Sequence, residues 1–139
     1  MNKRQRSITA FLLSVCLAGT TPLANAGFDV DAWAESLHGE ADVNALARLY
    51  LDMNIQLNPP TGGARGIHGT EEDPAALDNH LADLSPAAWD ASYRAHVAFR
   101  DRLAGIDASK LTRADQVDLH ILKNDVAGSL LGLTELGRS

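Results

Sequence analysis

Apolar residues recur every three or four positions in the first half of the chain, a spacing that places them on one face of an α-helix. After Ala41, the residues on one such face are Leu46, Leu49, Tyr50, Met53 and Leu57. A shorter run before them contains Phe28, Val30, Trp33 and Leu37. The pattern predicts a short helix and then a longer one that ends at Asn58-Pro59-Pro60, because proline disfavours helical backbone in the residue before it.

Ser85-Pro86 marks the start of a further predicted helix, since serine can cap free amide groups and proline at the first helical position forfeits no hydrogen bond. We expect this helix to run to about Ala104, with Gly105 ending it and Ile106 making an apolar contact beyond the end. Its predicted buried stripe contains Trp89, Tyr93, Val97 and Ala104, with His96 and Leu103 at the edges. Its predicted solvent face contains Arg94, Arg100 and Asp101.

The last predicted helix begins after Leu111-Thr112, with Thr112 as the cap and Asp115 completing a short capping box. Leu111 is placed to pack onto a later apolar residue. The predicted buried stripe of this helix consists of Val117, Ile121, Leu122, Val126, Leu130 and Leu131. The connection from Gly105 to Lys110 is short, so we expect the last two helices to form an antiparallel hairpin.

Between these helices, residues 59–84 lose the helical spacing and are rich in glycine, proline and acidic side chains. Such a composition predicts a long loop, and loops of this length are often functional or disordered. The sequence does not decide between those two alternatives.

The fold class predicted from these patterns is all-α, with three to four amphipathic helices arranged as a helical hairpin plus an N-terminal helix. Aromatic residues make up 5% of the chain, and no alternating runs of β-branched residues favour strands. Because the apolar stripes are wide for so few helices, we expect residues 27–139 to be part of a larger helical domain.

The N-terminus has the pattern of a secretory signal peptide over residues 1–26. Basic Lys3, Arg4 and Arg6 precede an apolar run from Ile8 to Leu17, and Ala24-Asn25-Ala26 offers a cleavage site. The run is too short for a membrane anchor, which needs about 20 apolar residues. The sequence therefore predicts an exported, periplasmic or secreted protein that begins at Gly27.

Cys16 leaves one alternative open, because a cysteine late in the signal region can be lipidated. Val15 is not the small residue that normally precedes such a cysteine, so soluble export is the favoured interpretation. Cleavage after Ala26 removes Cys16, the single cysteine in the chain, and leaves no disulfide or thiol.

The charge of the chain excludes several classes of partner. Cleavage removes three of twelve basic residues and none of eighteen acidic residues, so the mature chain is strongly acidic. Such a surface repels nucleic acid and anionic lipid, and we expect neither nucleic-acid binding nor membrane association after cleavage. The expected partner is the remainder of a larger helical domain, or another protein.

None of the five histidines has the spacing of a helical zinc site, in which two histidines four residues apart flank a glutamate. His96 and His120 fall near apolar stripes, where a partly buried, hydrogen-bonded histidine is the simpler interpretation. His68 and His80 flank the acidic residues Glu71, Glu72, Asp73 and Asp78. These residues include metal-ligand types, but a solvated loop is favoured over a metal site because nothing fixes their geometry.

The remaining motifs carry little chemistry. Gly62-Gly63-x-x-Gly66 lacks the preceding strand and the following lysine of a phosphate-binding loop. The acidic pairs Glu71-Glu72 and Asp115/Asp118 fit loop charge and helix N-terminal charge better than acid/base catalysis. Trp33, Trp89 and Tyr93 are interpreted as core. We therefore assign no catalytic, cofactor-binding or metal-binding residue to this chain.

The order of several short motifs resembles the N-terminal part of the bacterial "domain of unknown function 885" family. In chain order they are Leu46-Ala47-Arg48-Leu49-Tyr50, Pro59-Pro60-Thr61, Gly66-Ile67-His68-Gly69, Leu81-Ala82-Asp83-Leu84-Ser85-Pro86, Leu103-Ala104-Gly105-Ile106-Asp107 and Leu111-Thr112-Arg113-Ala114-Asp115-Gln116-Val117-Asp118. The resemblance spans about Val43 to Leu131 but only the start of the family's domain.

The resemblance implies an exported helical protein related to zinc metallopeptidases. The family's zinc motif lies far downstream of the matching part, so zinc and hydrolysis would belong to a longer protein and no residue role carries over to this chain. A fragment, a prematurely ended reading frame and a stand-alone remnant are the three explanations left open. The rival interpretations are a small periplasmic interaction or scaffold protein and, less favoured, an acidic metal-binding loop protein.

Overall fold

The computed structural model describes residues 28–69, 74 and 81–136, and within them every regular element is a helix. The helices are α1 (Val30–Ser36), α2 (Val43–Leu57), α3 (Pro60–Ala64), α4 (Pro86–Ala104) and α5 (Arg113–Leu136), with a 3-10 turn at Ala108–Lys110. The all-α prediction is confirmed. The predicted signal peptide and Cys16, as well as Glu71, Glu72, Asp73, Asp78 and His80, lie outside the described residues.

Each long helix begins where a side chain satisfies its free amide groups. Asp42 accepts a hydrogen bond from the amide of Ala45 at the start of α2, and Ser85 accepts one from Ala88 at the start of α4. Thr112 does the same for Asp115 at 3.2 Å, and its hydroxyl donates to the Asp115 carboxylate at 2.6 Å. The caps predicted at Ser85 and Thr112 are therefore confirmed.

The four longer helices surround one core, in which α4 lies along α5, α1 packs on α4, and α2 contacts both α4 and α5. The antiparallel pairing follows from the short connection between α4 and α5. The core centres on Phe99, whose ring stacks on Tyr50 at 4.6 Å between centroids and lies 6.1 Å from Trp33. Leu46, Met53, Leu103 and Val126 are buried around it.

The turn between α1 and α2 is fastened to α4. Gly39 in this turn has φ +80°, a backbone conformation that side-chain-bearing residues rarely adopt. Arg102 of α4 reaches across and donates a hydrogen bond from Nη2 to the backbone carbonyl of Glu40. Trp33 donates from its indole nitrogen to the carbonyl of Leu49 at 3.3 Å, so α1 is tied to α2 as well.

The predicted stripe of α4 is wrong in its orientation. Ala95, His96, Phe99 and Leu103 are the buried residues, whereas Tyr93 is 46% exposed and Ala104 is exposed. Trp89 and Val97 are half-buried. Alanines at positions 91, 95 and 98 make several faces of α4 equally able to pack, so the positions of α1, α2 and α5 select which face is buried.

The end of α4 also differs from the expected left-handed cap. Helix α4 ends at Ala104 as predicted, but Gly105 has φ −80°, and the last turn is closed by bonds from the amides of Gly105 and Ile106 to the carbonyls of Arg102 and Leu103. These bonds tighten the end into a 3-10 turn that needs no glycine. Ile106 packs against the core as predicted.

The predicted stripe of α5 is divided between two sides of the helix. Val126 is buried, and Leu122 and Leu130 are half-buried. Val117, Ile121 and Leu131 are 45%, 57% and 64% exposed. Within the described residues, α2 and α4 cover only one side of α5, so the stripe is only partly buried, in line with the expectation that it is too wide for these few helices.

The segment 59–84 is not a loop throughout, since α3 occupies its first residues. Proline at the first position of α3 fits the first turn of a helix, and Gly66 ends the turn after it with φ +78°. The expected number of helices, three to four, is lower than the observed number, because α3 was not predicted and the described part of the chain contains five α-helices.

Candidate functional site

A cleft of about 300 Å³ opens where the C-terminal ends of α2 and α5 meet the first half of α4. Helix α2 contributes Asn54 and Leu57, α4 contributes Trp89, Ser92 and His96, and α5 contributes Ser129 and Leu133. Asp83 and Leu84, which precede α4, also line the cleft. The cleft thus combines apolar walls with polar side chains, which also include Asn58 and Thr61, and both kinds of group occur in small-molecule sites.

His96 is the most buried polar residue of the cleft, with 4% of its surface exposed. Its Nδ1 lies 2.7 Å from the backbone carbonyl of Ser92, one helical turn earlier. A carbonyl oxygen only accepts hydrogen bonds, so Nδ1 carries the proton and donates it. Burial lowers the pKa of His96 below its ordinary value of 6.5, and the ring is therefore neutral at pH 7.

Tyr50 and Ser129 lie next to His96. The Tyr50 ring meets the His96 ring edge-on, with the centroids 5.8 Å apart, and the Tyr50 hydroxyl lies 3.4 Å from the Ser129 hydroxyl. Burial raises the pKa of Tyr50, and the charge of Asp125 raises it further. Tyr50 is therefore an uncharged hydroxyl in this group.

Asp83 is positioned at the rim by the start of α4. Its carboxylate accepts a hydrogen bond from the Ser85 amide at 2.9 Å, and bonds from the Ser85 backbone and side chain lower the pKa of Asp83. The rim of the cleft thus carries a fixed negative charge.

His96 is not hydrogen-bonded to either hydroxyl of this group. Catalysis by a serine or tyrosine hydroxyl needs a base within hydrogen-bonding distance of it. Among the described residues, the hydrogen bond that His96 makes goes to the Ser92 carbonyl, and the hydroxyl of Ser129 pairs with that of Tyr50. His96 is therefore not the base for either hydroxyl in this arrangement, and the carboxylate that acts on the Tyr50 hydroxyl is that of Asp125.

The other histidines are dispersed. His38 is exposed near Glu35, with 3.7 Å between Nε2 and the carboxylate, and His68 is exposed. His120 is exposed and pairs with Asn124 at 3.2 Å, so the prediction that it is partly buried is wrong, whereas the same prediction for His96 is confirmed.

The residues described here do not fit zinc. No group of three or more histidine, cysteine, aspartate or glutamate side chains comes together within residues 28–69 and 81–136. Zinc sites in proteins need at least three such ligands. We therefore derive no chemical step through zinc on this part of the chain.

Two backbone amides of the Gly62-Gly63-x-x-Gly66 motif already donate hydrogen bonds within the chain. The amides of Gly62 and Gly66 donate to the carbonyls of Pro59 and Gly63 at 2.9 and 3.0 Å. An anion would have to displace these bonds, which agrees with the interpretation that the motif is not a phosphate-binding loop. Asp115 is engaged with the Thr112 cap, as expected for helix N-terminal charge.

Comparisons of the chain with protein-family models, curated proteins and solved structures return no match. The resemblance to the domain of unknown function 885 family therefore stays a prediction. Within the described residues, no helix combines the length and the apolar character that crossing a membrane requires. The fold and the cleft define a helical assembly around one core, with a small binding-type cleft at one end.

The sequence analysis missed the cleft. Its polar groups come from positions 54, 58, 61, 83, 92, 96 and 129, which no single short motif connects. The one local signal is the spacing of Ser92 and His96, since a histidine four residues after another residue can reach that residue's carbonyl within a helix.

Proposed function

We propose that this chain is the N-terminal helical part of an exported protein that resembles the domain of unknown function 885 family, and that it supports a larger helical domain without supplying catalytic residues. The observation that carries the proposal is the uncovered apolar side of α5. We call this surface the outer face and define it by Val117, Ile121, Gly128 and Leu131.

The outer face has the properties of a helix-packing surface. Val117, Ile121 and Leu131 are between 45% and 64% exposed and follow one another at helical spacing on the side of α5 away from Val126. Gly128, between them, has no atom within 4 Å of where its Cβ would lie, apart from its chain neighbours and the backbone of its own helix. Small residues flanked by larger apolar ones allow a second helix to approach closely.

The covered and uncovered sides of α5 lie on one continuous helix of 24 residues. Burying the outer face would remove apolar surface from water, which favours association with further helices at roughly 25 cal/mol per Å². In the proposed protein, those helices belong to the remainder of the domain. Hydrolysis would then depend on residues outside this chain, as the family resemblance implies.

An alternative function is that of a small periplasmic interaction or scaffold protein, in which the outer face binds a separate protein. The observation that favours it is the closed core, because Phe99, Leu46, Met53, Leu103 and Val126 are fully buried. A core of this kind can support an independently folded unit that has one exposed apolar patch for binding another protein.

Site-specific photo-cross-linking in the cells of origin distinguishes the two functions. A photoreactive phenylalanine analogue is placed at Ile121 on the outer face and, as the matched control, at the exposed Ala32 of α1. The cross-linked product is then identified by mass spectrometry, which also gives the N-terminus of the native protein.

The proposal expects a cross-link from position 121 to a later part of the same polypeptide, little reaction from position 32, and an N-terminus at Gly27. A cross-link from position 121 to a different protein supports the scaffold alternative. Equal reactivity at the two positions, without a specific product, contradicts both functions, because the outer face would then be an ordinary solvated surface.

A further inference from the structure

His96 presents an unused hydrogen-bond acceptor to the cleft. Because Nδ1 donates to the Ser92 carbonyl, Nε2 of the neutral ring carries a lone pair, and no described residue donates a hydrogen bond to it. The one side-chain nitrogen or oxygen in the described residues that is both fully buried and unpaired is Nε of Arg102. Nε2 of His96 therefore retains access to solvent, and the cleft is where this ring is exposed.

The surroundings of this acceptor are mainly apolar. Leu57, Trp89 and Leu133 form the walls on three different helices. A volume of about 300 Å³ lies at the lower end of the range for small-molecule sites. A flat ring or short branched chain fits such a space better than an extended polymer.

The charges around the cleft exclude an anionic occupant. Asp83 lines the rim, and the charge of Asp125 acts on His96 from α5. The described lining contains no lysine or arginine that would offset a ligand carboxylate or phosphate. A cation would gain little from the neutral His96, which offers one lone pair within an apolar wall.

We propose that this cleft binds a small uncharged molecule with an apolar, ring-sized body and one hydroxyl group that donates a hydrogen bond to Nε2 of His96. Trp89 and Leu133 enclose the apolar body. Asn54 and Ser92 also line the cleft, where they are available for polar contacts with the remainder of the ligand. The residues that line this site do not include Val117, Ile121, Gly128 or Leu131 of the outer face.

The test uses phenol as the probe and fluorobenzene, which has nearly the same shape but no donor, as its matched control. The imidazole nitrogens of the full chain are followed by NMR during titration. The proposal expects saturable binding of phenol with a shift of the Nε2 resonance of His96, and binding of fluorobenzene about tenfold weaker without that shift, because a buried acceptor would be left unpaired.

Two variants assign the binding to the cleft. Leu133→Trp fills the cleft without changing His96 and should abolish the phenol shift, whereas Leu131→Trp places the same ring on the outer face and should leave it unchanged. His96→Phe should reduce the affinity for phenol to that for fluorobenzene.

Equal affinities for phenol and fluorobenzene in the unmodified protein, or no saturable binding of either, would overturn the proposal. Because this comparison is made on the unmodified chain, it stands even if His96→Phe fails to fold. Phenol binding that persists in a folded Leu133→Trp variant would also overturn it.

Discussion

The inner side and the outer face of α5 contain similar apolar residues but have opposite surroundings. On the inner side, Leu119 and Val126 are 3% and 1% exposed, since α2 and α4 pack against them. On the outer face, Ile121 and Leu131 are more than half exposed. The two sides differ in the neighbours that the fold supplies and hardly in the side chains.

This difference teaches how a wide apolar stripe should be interpreted. A stripe that covers about a third of a helix fits one interface, whereas apolar residues spread more widely indicate two. Residues 117–131 belong to the second kind. The inner side stabilises the described helices, and the outer face is available for an interaction that these helices do not make.

The largest expected effect comes from breaking the inner side at Phe99. This residue is fully buried, stacks on Tyr50 and contacts Trp33, so Phe99→Ala leaves a cavity between α1, α2 and α4. We expect it to lower the free energy of unfolding by about 3–5 kcal/mol, measured by urea unfolding followed with circular dichroism.

Phe99→Leu is the control for this cavity. It keeps most of the apolar volume, so it should cost clearly less than Phe99→Ala. A Phe99→Ala variant as stable as the unmodified protein would show that the aromatic cluster does not hold these helices together.

A direct comparison of the two sides uses alanine substitutions two residues apart on α5. Leu119→Ala removes a buried side chain and should cost about 2–5 kcal/mol. Ile121→Ala removes a side chain that is 57% exposed and should change the stability of the isolated chain by no more than about 0.5 kcal/mol.

The same urea experiment measures both variants. Equal losses would mean that something covers the outer face in solution, for instance a second copy of the chain. Dilution would then reduce the effect of Ile121→Ala, because association depends on protein concentration.

The smallest effect at neutral pH concerns His96. Burial lowers its pKa in the folded state below 6.5, while the unfolded chain takes up a proton near 6.5. The stabilising effect of the neutral ring is therefore fully present above pH 6.5 and is lost as the pH falls from 6.5 through the lowered pKa.

We expect the unfolding free energy to decrease between pH 7.5 and pH 5.5, and less steeply in His96→Phe. Asp125 partly opposes the shift, and Tyr50, the other titratable side chain packed on the ring, remains neutral in this range. The pKa values of the exposed Asp83 and Asp107 are lowered from 3.8, so these residues act at lower pH. Identical slopes for the two proteins would contradict the burial of a neutral His96.

Much of the fold could be predicted from the sequence, because helix ends depend on local chemistry. Ser85-Pro86 and Thr112 start α4 and α5 where predicted, and Asn58 ends α2 before two prolines. Caps and prolines act within one helical turn, so a short stretch of sequence contains the necessary information.

The faces of the helices were harder to predict, because they depend on contacts between distant residues. In α4, the expected stripe of Trp89, Tyr93 and Val97 competes with Ala95 and Phe99, and packing against α1 and α2 buries the second set. Helix α3 was missed since its two glycines disfavour helix in isolation.

The cleft could not be predicted for the same reason. Asn54, His96 and Ser129 come together only when α2, α4 and α5 are packed. The sequence shows that His96 is near an apolar stripe, but it does not show which ring nitrogen is occupied. That assignment depends on the Ser92 carbonyl and on the open side of the ring.

Helix α5 has one further consequence, which comes from its continuity. Leu131 faces away from the core, while Ser129 and Leu133, on the same turns, border the cleft. An α-helix is stiff over a few turns. A partner that rotates or shifts α5 from its outer face therefore also changes the distances between α5 and the other walls of the cleft. The binding of a molecule beside Ser129 and the binding of a protein at Leu131 would thus be coupled, because both would displace the same helix.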